Sequence, residues 1–133
     1  MSGQFWLAVG AYLVPTFPLG YFWHLTVFKK TYDDLQMYRE SVIIPFGLAS
    51  MFTQALIYAW IYPRLFSTAP DAWVTNALQF AAVFGLLAWS CAVLPVAAKY
   101  RMTSVAKFTR METAFTLVQF AIVSPLIALA WRT

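Results

Sequence analysis

AWVTNALQFAAVFGLLAWSCAVLPVAA, Ala72 to Ala98, runs without an aspartate, glutamate, lysine or arginine. A helix of about 20 such residues spans the roughly 30 Å hydrocarbon core of a bilayer. Three more stretches share this character: Phe5 to Phe28, Val42 to Tyr62 and Thr113 to Trp131. The expected fold is therefore all-α, four transmembrane helices in an antiparallel bundle. The chain of 133 residues forms a single integral membrane domain with spans at about 5–28, 42–62, 72–98 and 113–131. With 62% hydrophobic and 11% charged residues, no soluble domain is left over.

The net charge of +4 does not indicate nucleic acid, because the basic residues flank the spans. Lys29, Lys30 and Arg39 lie between spans one and two, and Lys99, Arg101, Lys107 and Arg110 between three and four. Arg64 and Arg132 belong to the opposite side. Basic residues resist translocation, so both termini are expected on the periplasmic side. Trp6, Trp60, Trp73 and Trp131 fall at the outer ends of the four spans, where an amphipathic indole favours the interface. Trp23 marks the inner end of the first span, and Trp89 is deep. The N-terminal MSGQFW has no basic segment of a cleaved leader, so the first span reads as a retained helix.

Capping patterns place helix starts at Thr68 with Pro70 and Asp71, and at Thr109 with Glu112. Pro15 and Pro18 predict a kink in the first span. Each half of the chain runs span, basic loop, span, with YRES (Tyr38 to Ser41) and RMET (Arg110 to Thr113) before the second span of each. This suggests two tandem helical hairpins related as parallel repeats.

Candidate chemistry is sparse. His24, the single histidine, and Cys91, the single cysteine, are weak metal-ligand candidates, with Met111 a third donor at similar depth. A metal needs several ligands, so the leading reading of His24 is a hydrogen-bonded residue at the membrane edge. No CxxC knuckle or disulfide framework exists. Depth counted along ideal helices collects Tyr12, Gln54, Gln79 and Ser124 at one level, with Asn76 a turn above. A second level holds His24, Ser90, Cys91, Thr116 and Gln119. Such groups can hydrogen-bond between helices, the favoured reading, or line a small ligand pocket or quinone headgroup site.

Small residues recur at Ala77, Ala81 and Gly85, at Gly47 and Ser50, and at Ala114, Ala121 and Ala128, where they let helix backbones approach. Met102, Val105, Phe108 and Met111 would share one side of a short interfacial helix that meets anionic lipid or a partner.

The run GYFWHLTVFKKTYDDLQMYRESVIIPFGLASMFTQALIYAWIYP, Gly20 to Pro63, resembles small four-helix bacterial inner-membrane proteins of unknown function. MTSVAKFTRMETAFTLVQF extends the likeness. The resemblance implies a bacterial cytoplasmic membrane and a compact bundle, and transfers no functional residue. Without a buried charge, metal set or soluble domain, the first expectation is a non-catalytic accessory or assembly subunit of a larger membrane complex of respiratory, photosynthetic or membrane-monooxygenase type. Its partners would be lipids and other membrane subunits or further copies of itself. A small-solute carrier or channel with an intramembrane polar site is the alternative, and a redox protein using His24 and Cys91 is a third class. No cofactor is expected on these grounds, with haem, quinone and metal left open.

Overall fold

The computed structural model describes residues 2–133. It contains six α-helices: α1 Gly3–Phe22, α2 Lys29–Asp34, α3 Ile44–Leu65, α4 Trp73–Ala92, α5 Leu94–Lys99 and α6 Val105–Ala130. No strand occurs among the described residues. Four helical segments are long and apolar enough to cross a membrane, at Gly3–Val27, Ile44–Leu65, Trp73–Lys99 and Val105–Ala130. The first of these continues α1 through a π-helical turn, Trp23–Val27, and the third joins α4 to α5.

Local chemistry explains most boundaries. Ser2 accepts a hydrogen bond from the Phe5 amide at the start of α1. Pro15 and Pro18 lie inside α1, which remains helical through both. Pro95 occupies the first turn of α5, where its missing amide hydrogen costs nothing. Gln36 turns the chain after α2 with φ of 55°.

Two helix starts differ from the sequence expectation. α4 begins at Trp73 behind Ala72, not at Thr68, whose carbonyl instead accepts from the Thr133 amide at 3.0 Å. α6 begins at Val105, with Ser104 accepting from the Lys107 amide at 3.2 Å. The better cap wins, because Ser104 has extended backbone angles and Thr109 is already helical. Glu112 is consequently an internal residue of α6. The expected boundary at 113 moves eight positions toward the N-terminus, from 113 to 105. For the same reason Met102, Val105, Phe108 and Met111 do not form a separate interfacial helix. Phe108 is buried and Val105 is exposed.

α1 and α6 pack together at the centre; α3 covers α1 and α4 covers α6. Gly85 permits the α4–α6 approach, since a Cβ there would stand 3.3 Å from Phe120 Cγ. The main core gathers Phe5, Tyr12, Tyr58, Tyr62, Phe80, Phe84, Phe120 and Ile127. A second, smaller core buries Tyr32, Leu35, Val93 and Phe108, so the connection after α1 is packed rather than simply solvated. Thr103 secures it, donating from its amide to the Leu35 carbonyl at 3.1 Å and from its hydroxyl to the Asp34 carbonyl at 2.7 Å.

Candidate functional site

α3 and α4 meet through aromatic side chains along one half of their length and separate along the other. Phe80 of α4 lies 5.4 Å from Tyr58 and 5.7 Å from Tyr62 of α3, measured between ring centroids. Where they separate, a cleft of about 450 Å³ opens, within the roughly 300–1,000 Å³ range of small-molecule sites. Gly47, Ser50 and Gln54 of α3 form one wall, and Leu87, Ala88 and Cys91 of α4 the other. Its floor comes from Tyr12 and Thr16 of α1 and Glu112, Thr116 and Gln119 of α6. Gly47 and Ser50 thus line an opening instead of drawing two backbones together.

A hydrogen-bonded chain crosses this floor. Gln119 Nε2 donates to the Tyr12 hydroxyl at 3.0 Å, Tyr12 donates to Gln54 Oε1 at 2.5 Å, and Gln54 Nε2 donates to Ser50 Oγ at 3.1 Å. Three helices are joined by it, and its polar groups face an otherwise apolar bundle. Tyr12, Gln54 and Gln119 are therefore brought together as one site.

The remaining sequence candidates are distributed differently. Ser124 is buried in the core, with no hydrogen-bond partner at its hydroxyl. Asn76 is buried and donates to the Ser67 carbonyl at 2.6 Å, holding the connection before α4. Gln79 is exposed on the outer face of α4 and does not line the cleft. Ser90 turns back on its own helix, donating to the Leu87 carbonyl at 2.9 Å. Cys91 is an exposed thiol on the cleft wall and is not a hydrogen-bond partner of His24. No group of three or more histidine, cysteine, aspartate and glutamate residues is placed to hold a metal ion among the described residues.

The indoles occupy two environments. Trp6 and Trp60 are exposed, and the Arg64 guanidinium stacks 4.0 Å from the Trp60 ring centre. Trp73 and Trp131 are half-buried at the ends of α4 and α6. Trp23 and Trp89 bond inside the protein, to the Tyr32 hydroxyl at 3.1 Å and to Thr113 Oγ1 at 2.9 Å.

At the end of the cleft floor nearest α2 lies a cluster that sequence reading missed. His24 sits in the π-helical turn, whose wider i to i+5 bonding is marked by the Phe28 amide donating to the Trp23 carbonyl at 3.2 Å. Its Nε2 lies 2.9 Å from Glu112 Oε1, and the two side chains are only 18% and 17% exposed. Tyr32, fully buried, donates to the same oxygen at 2.5 Å. Phe115 closes over the imidazole at a centroid distance of 4.6 Å. The helical spacing Phe108, Glu112, Phe115, Gln119 was the available signal, since it puts the carboxylate on the buried stripe of α6.

Burial, reinforced by the bond to Glu112 and its charge, pushes the Tyr32 phenol well above the ordinary tyrosine value. Its folded form binds the proton more tightly than its unfolded form. The resulting stability is complete below about pH 10 and is lost as pH rises further. We expect Tyr32→Phe to weaken the alkaline loss of stability above about pH 10, read from chemical unfolding at a series of pH values. An unchanged alkaline profile would place the effect elsewhere.

No protein-family model, curated protein or solved structure matches the chain.

Proposed function

We propose that the protein binds an uncharged amphiphile drawn from the bilayer, holding its polar head in the cleft between α3 and α4 while its apolar part stays in lipid. The observation that carries this reading is the crossing chain Gln119, Tyr12, Gln54 and Ser50, placed where two helices part. Amide and hydroxyl groups in that position offer both donors and acceptors without demanding a charge. An opening between helices suits a molecule that arrives from the side, which favours a lipid-soluble ligand over a water-soluble solute.

In this reading the helices alternate direction as two hairpins, α1 with α3 and α4 with α6. The basic connections face the cytoplasm of a bacterial cell and both termini face the periplasm, as the distribution of lysine and arginine supports.

A long-chain primary amide carrying a diazirine, photolysed in proteoliposomes, tests the proposal. Adducts are expected on residues 47–54 and 87–92. Gln54→Leu removes the central acceptor and should reduce them about tenfold, the equivalent of one good hydrogen bond near 1.4 kcal/mol, while helical content is retained. Adducts spread instead over Phe46, Leu78 and Leu86 would overturn the reading.

Membership in a larger membrane complex is a second reading, favoured by α3, which leaves Phe46, Phe52, Ile57 and Trp60 exposed and packs chiefly on α1. Lipid covers such a face equally well. Extraction from native membranes in mild detergent, followed by a native gel, separates the two: a stoichiometric partner band supports the complex, and migration alone removes it.

A further inference from the structure

The hydrogen bonds around His24 leave one proton to be assigned. Nδ1 lies 3.0 Å from the Gly20 carbonyl oxygen, which can only accept, so Nδ1 carries a hydrogen. The Trp23 indole donates to the Tyr32 hydroxyl, so the tyrosine's own hydrogen is directed to Glu112 Oε1. Nε2 then faces that same oxygen at 2.9 Å. A bare imidazole nitrogen and a bare carboxylate oxygen repel at this distance. One proton between them turns the contact into a bond, whether it is written as imidazolium with carboxylate or imidazole with carboxylic acid.

The surroundings give that proton somewhere to go. Glu112 lines the cleft between α3 and α4. His24 lines a second cavity of about 470 Å³, between α1 and the start of α3. The pair therefore stands between two openings and belongs to both walls. The other titratable or charged groups facing it are Tyr32 from α2, Tyr38 stacked on Tyr32 at 5.3 Å, Tyr21 and Arg39 in the second cavity, and Cys91, Tyr12 and Tyr58 in the cleft. Among these, Arg39 is the cation and no second carboxylate competes for the proton.

We infer that His24 and Glu112 form an intramembrane proton-binding site that exchanges its proton with whatever occupies the cleft. This deepens the amphiphile reading and rests on it for the ligand. It specifies a ligand whose polar head accepts or releases a proton, such as a phenol, an enol or a weak acid. The step balances simply: the anionic head of such a ligand takes the hydrogen from the Glu112–His24 contact and becomes the uncharged form, and another proton enters through His24 from the second cavity. No electron transfer is involved.

Because His24 is the chain's single histidine, ¹⁵N-histidine labelling yields one imidazole, observable in the intact protein in nanodiscs. At neutral pH its Nδ1 should be protonated. The Nε2 resonance should report the proton shared with Glu112 and should shift in Glu112→Gln. Dicyclohexylcarbodiimide, which enters from lipid and adds the O–H of a carboxylic acid across its C=N bond, should form one adduct mapped to Glu112. That adduct should be absent in Glu112→Gln. The opposite tautomer, an Nε2 resonance unchanged in Glu112→Gln, or labelling confined to Glu40 and Asp71 would overturn the inference. Neither readout uses the diazirine amide, so a coupled proton with no amphiphile adduct fails the ligand reading alone, and the converse fails the proton site alone.

Discussion

Glu112→Ala is expected to lower the unfolding free energy by about 3 kcal/mol, the usual cost of removing one partner from a buried charged pair. The alanine leaves His24 Nε2 and the Tyr32 hydroxyl facing each other across a gap, both previously bonded to one oxygen. These groups tie the end of α1 and the loop helix α2 to α6, so the loss reaches three elements. Unfolding in mixed detergent and SDS micelles measures it. Glu112→Gln is the informative comparison, because its carbonyl oxygen can take the place of Oε1 and accept from Tyr32 without the negative charge. It should cost no more than about 1 kcal/mol. Equal losses for the two variants would show that charge, rather than hydrogen bonding, holds the cluster.

Phe80→Ala should cost about 3 kcal/mol by the same assay, at the lower end for a fully buried phenylalanine truncated to alanine. Phe80 is inaccessible to solvent and touches the only part of the bundle where α3 and α4 approach through large side chains. Phe84 lies 4.6 Å away, Phe66 6.0 Å and Phe120 6.4 Å, between centroids. In lipid the penalty comes from lost dispersion contacts rather than from water exposure. The truncation also loosens the closed half of the α3–α4 contact, so amphiphile adducts should extend toward Tyr58. Phe80→Leu fills most of the volume and should cost about 1 kcal/mol. A loss below that for the alanine variant would mean that α3 and α4 are held together elsewhere.

Much of this protein is legible along the chain because the bilayer imposes a one-dimensional rule. A span must satisfy its backbone internally and present apolar side chains over a fixed length, so Ala72 to Ala98 declares itself without any tertiary information. Although Gln119, counted to the other polar level, joins Tyr12 across that division, the meeting of Tyr12 and Gln54 follows a similar rule, since depth follows from residue count along a helix. Rotation about the axis does not. Gln79 shares that depth and turns outward, while Ser124 turns into the core.

The least legible residue was Glu112. Its distance from a threonine matched a capping box, and only the earlier cap at Ser104 makes it internal to α6. Local sequence offers both starts; packing of Phe108 against Tyr32, Leu35 and Val93 makes the longer helix pay by burying its first turns.

What the amino-acid sequence determined by itself is the number of apolar helices, their approximate limits and the unequal placement of basic residues, all properties of composition read along a line. What only the tertiary structure decided is which polar groups meet. His24, Tyr32 and Glu112 are separated by as many as 88 positions and converge because a π turn, a loop helix and an early helix start each contribute one side chain. Convergence of that kind depends on rotation and packing between elements, and hydrophobicity along the chain carries neither.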